Sequence, residues 1–470
     1  GNLFVTGGTF DLTDFKLIID GESIFSGGTI KINGQTVISH GEVTLSLTQL
    51  RLEGGTFEAK SHFATGNSSG KIIMTDPSDY LLIHGNFQAQ TLNELTDGVM
   101  ELKGNFSQIR NTHHGSNNTF VSTGEHKVIL SGESEQTVSF SHPTNAYFNH
   151  LELANSQTIY FNTYAYVYGD LELNQTHIVG SLLMTTQTNL LSSVWNGDLH
   201  IRGHITLATD LTVLGDLLLF SHSLSLNGYQ LTVENNVSIQ SGDLYVDGGF
   251  LEVAGDYESS NGSGNHLYME NEHDVIIVHG DFTHGGTSTL TEGRIEVKGD
   301  FTQLINRTGG HQTYWKRNNF APSGSHQLVL SGEDSQTVSF ETPASNQSYI
   351  NHLVLDNILG FHFETRVFVL GHMSFIRGDI EGTLSLSGFA TVDQGNWKGD
   401  LYLYEDFTLS HDLIVDGTVY LVTNEFKLSG NTLDVKGDFI IQSGDLYVDG
   451  GFIEVAGDYE SSNGSGNHLY

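Results

Sequence analysis

Residues 239–268 read IQSGDLYVDGGFLEVAGDYESSNGSGNHLY, and residues 441–470 read the same except that Ile453 replaces Leu251. The two copies lie 202 residues apart. Self-similarity at a fixed offset is the signature of repeat architectures, in which each unit packs on its neighbours instead of forming its own closed core. The repeats therefore predict a fold in which successive units stack on one another.

The repetition covers the whole chain. SGESEQTVSF at 131–140 returns as SGEDSQTVSF at 331–340, and Trp195-Asn196-Gly197 returns as Trp397-Lys398-Gly399. Taking the Gly-Asn/Asp-Leu step as a start, we predict a first β-solenoid repeat at 1–196, a second at 197–398 and a partial third at 399–470. Because the third repeat stops partway, we expect the sequence to be a window of a longer chain.

A shorter interval runs inside each repeat. An apolar–polar–apolar step followed by Gly-Asp or Gly-Asn recurs every 18–20 residues, as at Gly85 and Gly104 or at Gly280 and Gly299. Stretches such as 294–297 (RIEV) alternate polar and apolar residues, the pattern of a strand with one buried face. We predict an all-β fold, a parallel β-helix (β-solenoid) with one coil per interval. The alternative is a string of β-sandwiches of about 100 residues each, which the alternation also permits.

The composition limits the kinds of partner and environment that we expect for this chain. Asp and Glu total 55 against 19 Lys and Arg, a formal charge of −36, so we expect no nucleic-acid partner. The chain has no cysteine, which excludes disulfides and thiolate metal sites. No apolar run approaches the roughly 20 residues of a spanning helix, so we expect no membrane span.

The phrases GEHKVILSG at 124–132, QTVSF at 136–140 and FNHL at 148–151 recur in the second repeat between Gly324 and Leu353. In these phrases the chain resembles tandem repeats of very large secreted surface proteins of Gram-positive bacteria. The resemblance implies an extracellular or cell-surface location, a β-helical shaft, and a fibre, biofilm-matrix or adhesin-like role. It implies no catalytic residues.

Calcium is the one cofactor that the sequence suggests. Asp243, Asp247 and Asp256 recur as Asp445, Asp449 and Asp458, and oxygen-rich turns suit this hard cation. Aspartate before glycine is also the ordinary chemistry of a turn. Both interpretations stay open at this stage.

The segment from Gln303 to Ser323 is longer than its counterpart in the first repeat and carries four unusual residues, Tyr314, Trp315, Lys316 and Arg317. Aromatic rings beside two cations could stack on a sugar or dock on a neighbouring acidic shaft. Alternatively, the loop folds its tryptophan back onto the solenoid.

Two other motifs have structural alternatives. The Gly-x-Ser-x-Gly pattern at 66–70 becomes SNGSG at 260–264, so the nucleophile position is not kept. His126 and His150 correspond to His326 and His352, and a repeated strand context favours packing or a corner hydrogen bond over metal binding. We predict no catalytic residues.

The function that these observations favour is structural: a rigid fibre, stalk or matrix filament built by self-association or end-to-end stacking. The first alternative is a carbohydrate-binding or adhesive module that contacts glycan or cell wall. The second is a polysaccharide lyase or hydrolase, since β-helices host such enzymes on an outward sheet that clusters carboxylates with basic residues.

Overall fold

The computed structural model describes residues 1–66, 68–174, 176–185, 188–260, 266–305, 320–386, 396–422, 425–462 and 467–470. Within these ranges the regular elements are strands and no helix occurs, so none could cross a bilayer. Parallel strands stack as a β-solenoid of about 21 turns with roughly 20 residues per turn, which confirms the predicted fold class. The β-sandwich alternative is wrong.

The chain divides into two compact units, Gly1–Asp216 and Leu217–Tyr470. The predicted repeat boundaries at 196/197 and 398/399 come from the periodicity of the sequence. The division into two compact units does not test them, so they stay predictions.

In the first unit, one face is a nine-stranded parallel sheet whose strands succeed one another along the chain: Leu17–Ile19, Thr36–Ser39, Thr56–Ala59, Tyr80–Ile83, Val99–Leu102, Lys127–Leu130, His150–Leu153, Asp170–Leu173 and Asn189–Leu190. The other strands of this unit are Leu3–Asp11, Ser23–Lys31, Val43–Leu45, Thr48–Arg51, Phe63–Thr65, Lys71–Met74, Phe87–Ala89, Glu94–Leu95, Phe106–Gln108, Gln136–Phe140, Thr158–Val167, His177–Met184, Val194–Gly197, Leu199–Ile201, His204–Thr206 and Leu211–Val213.

The second unit is also built from parallel strands. Its strands are Leu217–Leu219, Ser223–Ser225, Gln230–Val233, Val237–Ile239, Asp243–Tyr245, Phe250–Val253, Tyr257–Ser259, His266–Met269, Val275–Val278, Phe282–His284, Thr287–Leu290, Arg294–Val297, Phe301–Gln303, Gln327–Leu330, Gln336–Phe340, His352–Asp356, Phe361–Val369, Met373–Arg377, Ile380–Leu386, Asn396–Lys398, Leu401–Leu403, Phe407–Thr408, Leu413–Asp416, Val419–Leu421, Glu425–Lys427, Thr432–Val435, Phe439–Ile441, Asp445–Tyr447, Phe452–Val455 and Tyr459–Ser461.

The register shows how one coil follows the next. Tyr80 lies opposite Val99, 19 residues on, and Leu151 lies opposite Leu171, 20 residues on. Where the register step is longer, as from Val99 to Lys127, the extra residues form a largely exposed loop. The extra length of this coil therefore lies in a surface loop, as expected.

In most strands, alternate residues form the core. The strands 80–83, 99–102 and 127–130 each bury every second side chain. Because neighbouring coils are in register, like residues stack: the rings of Phe63, Phe87 and Phe106 lie 5.9 Å apart from one to the next, all fully buried. Each such ring stabilises the fold by about 1.5–3 kcal/mol through burial, with about 0.5–1.5 kcal/mol more from ring contacts.

Glycine occupies a coil corner because the adjacent coil leaves no room for a side chain. A Cβ on Gly299 would lie 2.4 Å from the carbonyl oxygen of Gly280, and one on Gly104 would lie 2.3 Å from that of Gly85. The Gly299 N–H donates to the same Gly280 oxygen at 3.0 Å. The Gly-Asp and Gly-Asn steps of the sequence are thus sites of closest approach between coils.

We expect Gly299→Ala to destabilise the chain by about 1–3 kcal/mol, because the new methyl group would force the two coils apart. Gly7→Ala is the matched control, since a Cβ there would meet nothing within 4 Å. Thermal unfolding followed by circular dichroism checks this. Equal midpoints for the two variants would contradict the close approach.

Candidate functional site

The corner aspartates and asparagines form a ladder from coil to coil. In the second unit, Asn236 accepts the backbone N–H of Asp256, Asp256 accepts that of Asp281, and Asp281 accepts that of Asp300, at 2.8–2.9 Å. In the first unit Asn86 accepts from Asn105 in the same way. The side chain after each corner glycine therefore bonds to the next coil.

The six aspartates proposed for calcium occupy three kinds of coil position. Asp256 and Asp458 lie in the corner ladder, and Asp247 and Asp449 lie in turns with left-handed φ of 52° and 49°. Asp445 opens a strand and accepts both the N–H and the ring Nδ1 of His468 at 2.9 Å, and Asp243 opens the equivalent strand.

No group of three His, Cys, Asp or Glu side chains suited to a metal occurs in the described ranges. The turn and corner contacts of these aspartates follow from the coil itself, and the calcium interpretation stays a prediction. The four loop residues Tyr314, Trp315, Lys316 and Arg317 lie outside the described residues, so their interpretation also stays a prediction.

A buried aspartate, which sequence reasoning missed, organises one turn in the first repeat and one in the second. Asp274 accepts the N–H of Gly248 at 2.6 Å and that of Asn271 at 3.0 Å; Asp79 accepts the N–H of Gly54 at 2.6 Å. Burial raises the pKa of both carboxyls, and the backbone N–H donors offset part of that effect. The sequence signal for this turn is the spacing Asn-x-x-Asp at 271–274 and Asp-x-x-Asp at 76–79.

A buried glutamine joins coils at another corner. The Gln136 amide donates to the carbonyls of Leu102 and Gly104, at 3.1 and 2.7 Å, and its oxygen accepts the Gly132 N–H at 2.9 Å. Gln336 makes the same three bonds in the second repeat, at 2.6–3.0 Å. These are the glutamines of the repeated QTVSF phrase, which sequence reasoning used for recognition without assigning them a role.

We expect Gln136→Leu to lower the free energy of unfolding by about 3 kcal/mol, because the Gly132 N–H and the Gly104 carbonyl lose a hydrogen-bond partner and the Leu102 carbonyl keeps only the Ser131 N–H. Gln88→Leu is the matched control, since Gln88 lies half-buried on the outward face of the strand 87–89. Chemical denaturation of both variants measures the difference. A loss for Gln136→Leu no larger than for Gln88→Leu would contradict the proposed corner role.

The repeated histidines either pack inside the coils or form a hydrogen bond at a corner, as predicted. His150 Nε2 lies 3.1 Å from the Gly124 carbonyl oxygen, and His352 Nε2 lies 3.1 Å from that of Gly324. His126 and His326 are fully buried. Burial lowers the pKa of His126 to about 4 and that of His326 to about 3 from the ordinary 6.5.

Because of the two buried histidines, we expect the stability of the fold to decrease in acid. Because the folded-state pKa values lie below the unfolded value, the unfolded chain binds the extra protons first. Stability is therefore full above about pH 6.5 and falls as the pH drops towards about 4, by about 2 kcal/mol per histidine at pH 5. We expect the double variant His126→Leu/His326→Leu to show a smaller shift in melting midpoint between pH 7.5 and pH 5 than the parent.

His279→Leu serves as control, because His279 lies on an outward face beside Glu252. Identical pH shifts in the parent and the double variant would rule out the buried histidines as the cause.

Outward carboxylates of the nine-stranded face are held by cations and hydroxyls. Glu58 accepts from Lys60 and, at 2.8 Å, from His84 Nε2. Burial alone would raise the pKa of Glu58, but these two partners outweigh it and hold the pKa below its usual value. A glycosidase general acid needs a raised pKa, so this carboxylate has the opposite tuning.

One charged cluster belongs to the first repeat alone. Lys127 lies 2.5 Å from Glu152 and 3.2 Å from Glu172, carboxylates that are opposite one another on adjacent strands. At the corresponding registers the second unit has Gln327, Val354 and Ser374. The single positive charge of Lys127 offsets part of the negative charge of the two carboxylates. The lyase or hydrolase alternative stays a prediction.

Comparison with protein-family models, curated proteins and solved structures finds no match for this chain. Its function has to be inferred from its own residues and contacts.

Proposed function

We propose that this chain is a structural, extracellular repeat protein whose stacked coils form a segment of a fibre, stalk or matrix filament. The observation that supports the proposal is that side-chain contacts between adjacent coils recur after about 200 residues. The recurring side chains hold one coil to the next: the glutamines 136 and 336, the histidines 150 and 352, and the aspartates 79 and 274. Between the first and second repeats these coil-to-coil bonds are kept, while outward residues such as Lys127 change.

The mechanism is geometric. Parallel backbone ladders and stacked apolar columns make each coil a template for the next, so the fold can be extended by adding repeats. Self-association by end-to-end stacking uses the same ladder. The formal charge of −36 favours solubility and opposes lateral pairing of strand edges.

The extracellular location rests on the resemblance of the SG…QTVSF phrases to secreted surface repeats. Protease treatment of intact cells that express the full parent gene, followed by detection of this segment, tests the location. Protection of the segment from protease would contradict it.

Electron microscopy tests the fibre. We expect the chain lengthened by one further copy of residues 197–398 to be about 50 Å longer than the original, because about ten coils at a strand spacing of about 4.8 Å are added. Lengthening by a Gly/Ser segment of equal size is the control. Compact particles, or particles of unchanged length, would refute the proposal.

A further inference from the structure

The outward face of the second repeat carries an open groove that spans three successive coils. Its volume is about 460 Å³, a size that suits a small ligand. The groove is lined by Ser325, Gln327, His352, Leu353, Val354, His372 and Ser374. Gln327 lies in register opposite His352, and Val354 lies opposite Ser374, so neighbouring strands supply the two sides of the groove.

The first repeat has charged residues at the same positions. His352 corresponds to His150, because the Nδ1 of each accepts the backbone N–H of the residue 20 positions later, at 2.8 and 2.9 Å. Gly324 and Gly124, which precede the first lining position, both have φ of 60°. With the strand register, these features make Glu125, Lys127, Glu152, Asp170 and Glu172 the counterparts of Ser325, Gln327, Val354, His372 and Ser374.

In the first repeat, these charged side chains converge on one another. Lys127 Nζ lies 2.5 Å from Glu152 and 3.2 Å from Glu172. The His150 ring lies 3.4 Å from the carboxylate of Asp170 and 3.9 Å from that of Glu125. In the second repeat the four carboxylates and the ammonium group are absent from these positions, and the groove lies where their counterparts converge.

One wall of the groove is held rigid by the backbone. His352 Nε2 lies 3.1 Å from the Gly324 carbonyl oxygen, and Nδ1 accepts the N–H of His372, so both ring nitrogens are fixed. The ring of His372 lies 6.1 Å from that of His352, at an angle of 64°. At the rim, Ser325 donates its hydroxyl hydrogen to Glu292, and its oxygen can still accept a hydrogen bond. The groove is therefore formed before any ligand arrives.

The lining chemistry selects a neutral ligand that carries hydroxyl groups. A charged ligand would lose hydration without gaining a counter-charge, since the lining has no Asp, Glu, Lys or Arg. A wholly apolar ligand would cover the amide of Gln327 and the serine hydroxyls without bonding to them. A sugar ring offers hydroxyls to these groups and an apolar C–H face to Val354.

We propose that this groove of the second repeat binds a neutral sugar residue of a glycan. The replacement of the first repeat's charged cluster by short or uncharged side chains created both the space and the hydrogen-bonding surface. The site uses other residues than Tyr314, Trp315, Lys316 and Arg317, and it does not depend on the fibre role.

The test is ligand-observed NMR titration of the full chain with neutral disaccharides: maltose, cellobiose, lactose and N,N′-diacetylchitobiose. Glucuronate is the charged reference. We expect saturable binding of at least one neutral probe, and weaker binding of glucuronate. No saturable binding of any neutral probe, or glucuronate binding as tight as that of the best neutral probe, would overturn the proposal.

The decisive variant is Gln327→Lys/Val354→Glu/Ser374→Glu, which installs the charged set that the first repeat already carries on the same kind of coil. These side chains should occupy the groove and weaken binding by about tenfold or more. Circular dichroism checks that the variant is folded. Ser374→Glu alone should weaken binding in the same direction and provides a test that needs only one outward change.

The matched control is Thr283→Lys/Thr302→Glu/Ser339→Glu, which adds the same charges at outward positions of three strands that do not line the groove. Binding should be unchanged in this control. Affinity equal to that of the parent in both groove variants would overturn the proposal, because the ligand would then bind elsewhere on the chain.

Discussion

Parallel, in-register stacking of one coil on the next is the constraint on which the other features of this protein depend. Each residue faces its counterpart about 20 residues away, so whatever a position contains is placed beside a copy of the same position. Corners come so close that Gly280 and Gly299 leave no room for a Cβ. Inside, the same rule turns a recurring phenylalanine into a column of rings.

Stacking places strict demands on polar and charged side chains, because like charges directly opposite one another repel. On the nine-stranded face, Glu58 and Glu101 are separated by Leu82, and an isoleucine follows before the next glutamate. Glu152 and Glu172 do lie opposite one another, and there Lys127 contacts both carboxylates. At the corners, aspartates lie on adjacent coils, and each accepts an N–H from its neighbour. Buried polar groups such as Gln136 and Asp274 satisfy backbone groups that the turns leave open.

The repeats distinguish the residues that hold adjacent coils together from the outward residues that differ between repeats. Between the first and second repeats, coil-holding residues recur in place, whereas outward positions change, as where Lys127 of the first repeat becomes Gln327.

The sequence by itself determined the strands, their buried faces and the coil interval. These depend on local alternation and on glycine corners, which contact residues one interval away. The recurring Gly-Asp step of the sequence includes Asp256, which the structure places at a corner. The limits of the sequence appear at Gln136 and at the stacked pair of Tyr245 and Tyr268. Gln136 bonds to residues 32 and 34 positions away, across a loop of variable length. The two tyrosines meet because their strands lie in register on neighbouring coils. Only the tertiary structure decides such contacts, because loop insertions change the separation along the chain while the register between coils stays the same.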